Sequence, residues 1–429
     1  MANFVCDRIR IGDTDGPRSR WCRSAGESRR PEMSAVPTIT PEELIERIKI
    51  RLDARPHRSR YSHFDVAPVP TGPATHVLIL GAGFSHGVVP LVNELMHETI
   101  GDYYYPDQDQ WGKRPASVLR KASARFWQEF NAAALQEGLQ TVDVDRRGLP
   151  KNAGAAYQNL FTYEAASVLF ALSAPRRKTY LERIRDERQS RRTPDERRRG
   201  IADAGARFVK GFLRYVLDPG AEHGFGSTGR SELNAAHRHL AAILEAQQSG
   251  RGWQTCAFCR TVFTTNFDTL LQNALHGVNL LYCLTDRPER GFDSSDFPDE
   301  EGAIHLVYVH GSILRHNPAS TTAELDGLTD RNIAVLRDHL NSRDVIAIGH
   351  GGWRDGLMAA LHGCDSTRHT LYWCDVHPEP PAHVASLLEE RPATAAYVQL
   401  GKGGADDLMR ALYERLVPVE SRRVPTQQQ

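Results

Sequence analysis

The chain has 429 residues, a length that allows two or three folded units with a sizeable core and excludes a peptide or a small stapled scaffold. Its 53 Lys and Arg balance 53 Asp and Glu, so the net charge favours neither a nucleic-acid-binding protein nor an enzyme of acidic substrates. The sequence has no apolar run of membrane-spanning or signal-peptide length, and its seven cysteines are scattered and odd in number. These features predict a cytoplasmic protein with reduced thiols and no membrane partner.

The N-terminal part of the chain carries one helix signal. Residues 1–37 are rich in polar residues and lack an apolar period, which predicts disorder. Thr40, Pro41 and Glu43 then form the pattern of an N-cap, a first-turn proline and a capping-box partner. This pattern predicts a helix that is followed by a Pro-rich linker, and the two together cover residues 38–73.

Short apolar runs recur along the chain and alternate with helical patterns. His76–Leu80 is the first such run, and its continuous hydrophobicity is typical of a strand buried on both faces. Later runs end at Thr265, His310, Gly349, Cys374 and Leu400, and helical patterns lie between several of them. The repetition of strand, helix and strand predicts an α/β fold, namely a Rossmann-like doubly wound parallel sheet.

The middle of the chain departs from this alternation, because residues 101–254 show only helical periods. They predict a large helical insertion in a sheet domain formed by residues 74–100 and 255–417, with a disordered tail at residues 418–429. Within the insertion, residues 176–199 carry eleven Lys and Arg against five Asp and Glu. We interpret this run as a solvated helix, with contact to nucleic acid as the alternative.

A glycine-rich turn, Gly81–Ser85 (GAGFS), directly follows the first apolar run. Glycines at such a turn let backbone N–H groups approach a pyrophosphate, and a helix that begins there favours the anion. The same kind of turn is about as often a purely structural device, so this motif alone leaves both interpretations open.

Polar residues follow three later strands. Asn266 and Asp268 lie in the motif TTNFD, at a strand end where open parallel sheets bind ligands, although both residue types also cap helices. His310–Gly311 and the loop Gly349–Asp355 follow two further strands, where a structural histidine and a plain turn are the alternatives. Because four strand ends would bring such residues to one edge of the sheet, a shared ligand site is the better interpretation.

Together, GAGFS, TTNFD, YVHGS and a later GxGG loop, in this order, resemble the sirtuin superfamily, and more closely its bacterial sirtuin-like NAD-hydrolase branch outside the deacylases. The resemblance covers residues 74–100 and 255–402. It implies that NAD is the substrate and that the helical insertion takes the place of a variable helical module.

The resemblance also implies roles for individual residues. His310 matches the catalytic histidine beside the ribose hydroxyls, and Asn266 and Asp268 match positions that face nicotinamide and its ribose. The implied cofactor-binding residues, from the pyrophosphate loop to the adenosine half, are Gly81, Ala82, Gly83, Phe84, Ser85, Thr265, Gly311, Gly349, Gly351 and Asp375. Cleavage of the bond to nicotinamide passes through an oxocarbenium-like state, which needs a positioned ribose, a polarised nucleophile and exclusion of bulk water.

Departures from the deacylase branch bear on the reaction. Those enzymes carry two CxxC pairs after the catalytic histidine, whereas the single close pair of this chain, Cys256 and Cys259, precedes TTNFD. Thr265 stands where they carry a glutamine. We therefore expect no zinc and weak recognition of acyl-lysine peptides.

These observations predict an NAD glycohydrolase that cleaves NAD to nicotinamide and ADP-ribose, and the resemblance further implies a role in bacterial anti-phage defence. His310 would act as general base, Asn266 would orient the carboxamide or an attacking water, and Asp268 would stabilise positive charge on the ribose. A protein deacylase or ADP-ribosyltransferase is the first alternative, and a non-enzymatic NAD- or ADP-ribose-binding module is the second. Because the sequence shows no recognisable effector domain, we expect activation through the helical insertion, a homo-oligomer or a separately encoded activator.

Overall fold

The structure is a computed structural model, and it describes residues 36–53, 75–89, 91–105, 114–136, 141–145, 163–172, 182, 193, 233–248, 257–285, 303–312, 330–352, 355–365, 367–391, 393–419 and 422. The predictions of disorder for residues 1–37 and 418–429, and the basic run 176–199, fall largely outside these residues. No helix in the described part of the chain is long and apolar enough to cross a membrane.

Eight strands of the described residues form one sheet, and every neighbouring pair is parallel. They are β1 (Thr38–Ile39), β2 (His76–Leu80), β3 (Phe258–Thr264), β4 (Tyr282–Thr285), β5 (Ile304–Tyr308), β6 (Asp344–Ile348), β7 (Leu371–Asp375) and β8 (Ala395–Gln399). Their order is β1-β8-β7-β6-β2-β3-β5-β4, so β2 lies inside the sheet between β6 and β3. This topology confirms the predicted Rossmann-like α/β fold.

The described helices are α1 (Pro41–Asp53), α2 (Val92–Tyr104), α3 (Ala116–Gln136), α4 (Tyr163–Leu172), α5 (Ala235–Gln248), α6 (Leu270–Gly277), α7 (Asp330–Leu340), α8 (Gly356–His362), α9 (Ala382–Glu389) and α10 (Gly404–Leu416). Helices α2, α3 and α4 belong to one compact unit, and all the strands and other helices belong to a second. The predicted capping box opens α1, because the Thr40 N–H donates to Glu43 Oε2 at 2.8 Å and the Glu43 N–H donates to Thr40 Oγ1 at 3.2 Å.

Helices cover both faces of the sheet, which explains the continuous apolar runs of its strands. Leu78 and Leu80 of β2 pack in one core with α1, α5, α6 and α10. Val77 and Ile79, which point to the opposite face, pack in a second core with α7, α8 and α9. Every residue of β2 is thus withdrawn from water.

The unit of α2, α3 and α4 has its own buried contacts. The Arg114 guanidinium is almost fully buried and lies 3.1 Å from both Glu98 Oε2 and Asp102 Oδ1. Trp127 packs edge-on against Phe130, with ring centres 5.6 Å apart. A buried arginine needs such carboxylate partners, because removal of its charge from water is costly.

The two units divide the chain differently from the sequence-based boundaries. Helix α5 lies inside the predicted insertion 101–254, yet it belongs to the unit of the sheet, where Leu240, Ile243 and Leu244 are fully buried. Helix α2 lies mostly in the predicted sheet segment 74–100 and belongs to the helical unit. Helical periodicity shows which face of a helix is apolar, but not which neighbour covers it.

Candidate active site

The glycine-rich turn after β2 packs against the loop after β6. The N–H of Gly81 donates to Ile348 O at 3.0 Å, and the N–H of Gly83 donates to Gly349 O at 2.9 Å. A Cβ atom on Gly81 would lie 2.4 Å from the Cα of His350, and Gly349 itself has a φ of +64°. Close approach of two backbones therefore requires these glycines, as the structural interpretation of the turn predicts.

This turn offers few backbone donors to a pyrophosphate. The N–H groups of Phe84 and Ser85 donate to Gly81 O and Ala82 O, at 2.9 and 3.1 Å. The N–H groups of Gly81 and Gly83 are engaged as well. Within the described residues, the N–H of the exposed Ala82 is therefore the one donor of the turn that makes no backbone hydrogen bond. Pyrophosphate binding by the turn stays a prediction, with Ala82 as the donor that the geometry offers.

Five polar side chains converge at the carboxyl ends of the adjacent strands β2 and β3, and we call them the serine cluster: Ser85, Asn234, His237, Asn266 and Asp268. The Ser85 hydroxyl donates to Asp268 Oδ2 at 2.8 Å and accepts from Asn266 Nδ2 at 2.9 Å. His237 Nε2 lies 3.5 Å from the same hydroxyl oxygen. The structure thus brings three of the predicted site residues into direct contact.

Asn234 and His237 attach the serine cluster to the start of α5. His237 Nδ1 lies 2.5 Å from Asn234 Oδ1, and Asn234 Nδ2 donates to Phe84 O at 2.7 Å. Since the amide oxygen of Asn234 can only accept, the imidazole proton lies on Nδ1. Complete burial lowers the pKa of His237 to about 3, so the ring is neutral at physiological pH.

Asp268 is buried, and its two carboxylate oxygens have different partners. Oδ1 accepts the N–H of Leu270 at 3.0 Å at the start of α6, which is the capping role that the sequence leaves open. Oδ2 accepts the Ser85 hydroxyl. Burial raises the pKa of the Asp268 carboxyl, and these hydrogen bonds offset that rise only in part.

A second group of buried side chains, the histidine cluster, consists of His310, His350 and Asp355. His310 follows β5, and its Nε2 lies 3.1 Å from Asp355 Oδ2, while His350 Nε2 lies 3.7 Å from the same oxygen. Asp355 caps α8, because its Oδ1 accepts the N–H of Met358 at 2.8 Å. Burial alone would raise the pKa of the Asp355 carboxyl, but the two imidazoles beside it hold that pKa below its ordinary range.

Phe267 connects the two clusters along the sheet edge. It lies between Asn266 and Asp268 in the sequence, and its ring centre is 6.5 Å from that of His310.

The Oδ1 atom of Asn266 is buried and has no hydrogen-bond partner among the described residues. A buried amide oxygen without a partner is costly, so it marks a place where a ligand donor would be stabilised.

The other predicted site residues lie at or after the ends of strands β3, β5, β6 and β7. The Thr265 N–H donates to the last residue of β2 at 3.0 Å, and Gly311 adopts a φ of 77° in the turn after β5. The carbonyl of Gly351 accepts from a histidine of α9 at 2.8 Å. Asp375 ends β7 and lies 2.9 Å from Nδ1 of the exposed His377. Their predicted contacts with NAD stay predictions.

Sequence reasoning misses four residues of the two clusters: Asn234, His237, His350 and Asp355. Asn234 and His237 lie in the segment interpreted as an insertion, although an Asn directly before a helical run is an N-terminal signal. Asp355 stands directly before GLMAALH, which is also a capping signal, but the loop Gly349–Asp355 is interpreted by its glycines alone. His310 and Asp355 are 45 residues apart in the sequence, and no local pattern predicts that they lie in contact.

The doubly wound sheet with polar side chains at its carboxyl edge defines a Rossmann-like α/β protein. Residues 260–399 match the family model of the SIR2-like domain. This match supports a relation of residues 260–399 to the sirtuin-like superfamily, and it includes the strands from which His310, Asp268 and Asp355 follow. The comparison with curated proteins found no match. SIR2-like domains are typically NAD-dependent enzymes, so the activity of this class is NAD-related.

The cysteines of the described residues form no disulfide. Cys259 is buried in β3, and its thiol donates to Thr261 O at 3.0 Å. Within the described ranges, no group of three or more His, Cys, Asp or Glu side chains is arranged to hold a metal ion. Cys256 lies outside those ranges, so the expected absence of zinc stays a prediction.

Proposed function

We propose that this protein is an NAD glycohydrolase, which transfers the ADP-ribosyl group of NAD to water and releases nicotinamide. The observation that carries the proposal is the meeting of Ser85, Asn266 and Asp268 at one edge of a SIR2-like sheet, with His310 on the next strand. This arrangement would supply polar partners for the leaving group and a proton acceptor for the nucleophile.

The serine cluster fits the nicotinamide end of the substrate. The free, buried Oδ1 of Asn266 would accept a hydrogen bond from the carboxamide. Asp268 is a carboxyl whose ionisation is opposed by burial, so a cation beside it favours the charged form. Because that stabilisation grows as positive charge develops on the ribose, Asp268 would contribute more to the transition state than to the bound substrate.

His310 is the proposed general base. In the reaction, the oxygen of water bonds to the anomeric carbon, the bond to nicotinamide breaks, and nicotinamide leaves with the electron pair. The proton of the water passes to His310 and from there to solvent. Atoms and charge balance without a further reactant, which is consistent with water as the acceptor.

The proposal is tested by nicotinamide release from the purified protein and by NAD content of cells that express it. We expect His310→Ala and Asn266→Ala to lower release by about 100-fold or more, because each removes a group that acts on the reacting atoms. The control is His362→Ala, an exposed histidine on α8, which should retain wild-type activity. Full activity of His310→Ala would contradict the mechanism, and absence of NAD loss both in vitro and in cells would contradict the function.

The reaction acceptor is decided in the same assay. Release that requires an added acylated or acceptor protein would replace hydrolysis by deacylation or ADP-ribosyl transfer. Binding of NAD without turnover in any condition would favour a binding module. The zinc content of the purified protein is a second readout, because stoichiometric zinc would support the deacylase.

We further propose, from the resemblance alone, that the reaction takes place in the bacterial cytoplasm as part of anti-phage defence. Depletion of NAD would then be restrained until a homo-oligomer forms or an activator binds. Cells that express the wild type, but not His310→Ala, should lose NAD during phage infection. Equal NAD loss in infected and uninfected cells would contradict this restraint.

A further inference from the structure

The carboxylate of Asp355 has two tasks in the structure, one for each oxygen. Oδ1 accepts the Met358 N–H and caps α8, as an aspartate at a helix start commonly does. Oδ2 has no role in the helix and faces Nε2 of His310 at 3.1 Å, with Nε2 of His350 at 3.7 Å. A cap needs one oxygen, so the second oxygen calls for a separate explanation.

His350 is held in a fixed orientation beside this oxygen. Its Nδ1 accepts the N–H of Gly352 at 3.0 Å, and its ring packs edge-on against Trp373 with ring centres 5.6 Å apart. Because Nδ1 accepts, the proton of the neutral ring lies on Nε2, which therefore points a donor toward Asp355. His350 thus helps to keep the carboxylate charged and in place.

We propose that Asp355 is the positioning residue of His310, which holds the proton of its ring on Nε2 and leaves Nδ1 to accept a proton from the nucleophile. The inference deepens the proposed hydrolysis and rests on it. A carboxylate that faces one imidazole nitrogen fixes the tautomer and the ring orientation, and it stabilises the imidazolium that forms when the other nitrogen takes a proton. Neither His310 nor Asp355 would perform this step alone.

The proton path follows from the geometry. Water bonds to the anomeric carbon through its oxygen, nicotinamide leaves with the electrons of the broken bond, and the water proton moves to Nδ1 of His310. The positive charge of the ring then lies against the Asp355 carboxylate, which stays unprotonated. Release of the proton to solvent restores the starting tautomer.

Asp355→Asn separates the two tasks, because asparagine still caps α8 through its Oδ1 but presents an N–H₂ donor to His310. We expect kcat for nicotinamide release to fall by about 100-fold or more, with KM for NAD changed by less than about threefold. Glu390→Gln is the matched control, because Glu390 pairs at 2.9 Å with His362, an exposed residue at the other end of α8. This control should keep wild-type kcat.

A double variant tests whether Asp355 acts through His310. In the His310→Ala background, Asp355→Asn should cause no further loss of kcat, since residues that act as one unit are not additive. Losses that multiply would overturn the proposal, as would a single Asp355→Asn variant within about threefold of the wild-type kcat.

The tautomer is a readout that does not depend on turnover. Ring ¹⁵N chemical shifts of His310, assigned by comparison with His310→Ala, should show the proton on Nε2 in the wild type and on Nδ1 in Asp355→Asn. If the protein proves not to hydrolyse NAD, this measurement still decides whether Asp355 sets the state of His310. A wild-type ring with the proton on Nδ1 would overturn the inference.

Discussion

Asp268 and Asp355 are two buried aspartates at the same edge of the sheet, and they differ in one partner. Each uses Oδ1 to accept an N–H at the start of a short helix, Leu270 in α6 at 3.0 Å and Met358 in α8 at 2.8 Å. The Oδ2 of Asp268 accepts a neutral serine hydroxyl, whereas that of Asp355 faces an imidazole. Burial raises the pKa of Asp268, and the imidazoles lower that of Asp355.

The difference shows how one residue type acquires opposite shifts of pKa at one edge of the sheet. Environments that push the pKa values of two similar groups apart are typical of acid and base pairs in enzymes. Asp355 is the carboxylate that keeps its charge without a ligand, and it supports His310. Asp268 gains most when a cation binds beside it, which suits the end of the site that holds positively charged nicotinamide.

His237 should make the serine cluster more sensitive to acid than the histidine cluster. Its pKa of about 3 lies below the ordinary value of 6.5, so the unfolded chain takes up a proton at a pH where the folded protein does not. The free energy of unfolding should therefore fall as pH drops from about 6.5 toward 3, by about 4 kcal/mol in full. His237→Asn keeps a donor to Asn234 and should remove this dependence, measured by hydrogen exchange of β3 amides across that pH range.

The exposed His276 of α6 provides the control for this prediction. His276→Asn should leave the acid dependence of the sheet as it is in the wild type. If the free energy of unfolding depended on pH equally in His237→Asn and the wild type, His237 would be accessible to protons in the folded protein. That result would contradict the difference in acid sensitivity between the two clusters.

Asp355→Asn should destabilise the folded protein at neutral pH. A carboxyl whose pKa is lowered on folding contributes stability above its ordinary value of 3.8, and this contribution is lost as pH falls further. We expect a loss of about 2 kcal/mol at pH 7, the order of losing one buried polar contact of a charged group, and this loss should shrink below about pH 4. Hydrogen exchange of β6 amides at pH 7 and at acid pH measures the loss, and a loss that does not change with pH would contradict a charged Asp355 carboxylate beside the two imidazoles.

Most of the sheet can be predicted from the sequence, because strands buried on both faces are continuous apolar runs. The run His76–Leu80 coincides with β2, and the other five expected runs overlap β3, β5, β6, β7 and β8. The edge strands β1 and β4 are missed, since the first has two residues and the second is only partly buried. A strand without two covered faces has no apolar signature.

The candidate site can be predicted only where its residues follow a strand. Ser85, Asn266, Asp268 and His310 do so, and parallel topology alone brings them to one edge. Asn234 and His237 reach the site from α5, and Asp355 reaches it from the start of α8, so their positions depend on how helices pack. Tertiary packing of this kind leaves no mark in local spacing, which is why the partner of His310 emerges only from the structure.

Asp268→Asn should have the smallest effect on the free energy of unfolding, with the opposite sign to that of Asp355→Asn. A carboxyl whose pKa is raised on folding costs stability wherever it is ionised, so its removal should stabilise the fold at pH 7. The gain should vanish as pH falls below the ordinary value of 3.8, where the wild-type carboxyl is protonated in both the folded and the unfolded state. Asparagine keeps the cap on Leu270, and its N–H can donate to Ser85, whose own proton can turn to His237 Nε2. Hydrogen exchange of β3 amides in the two asparagine variants therefore tests the contrast between the two aspartates. A loss of stability at pH 7 in both variants would mean that Asp268, like Asp355, is held as a charged partner in the folded protein.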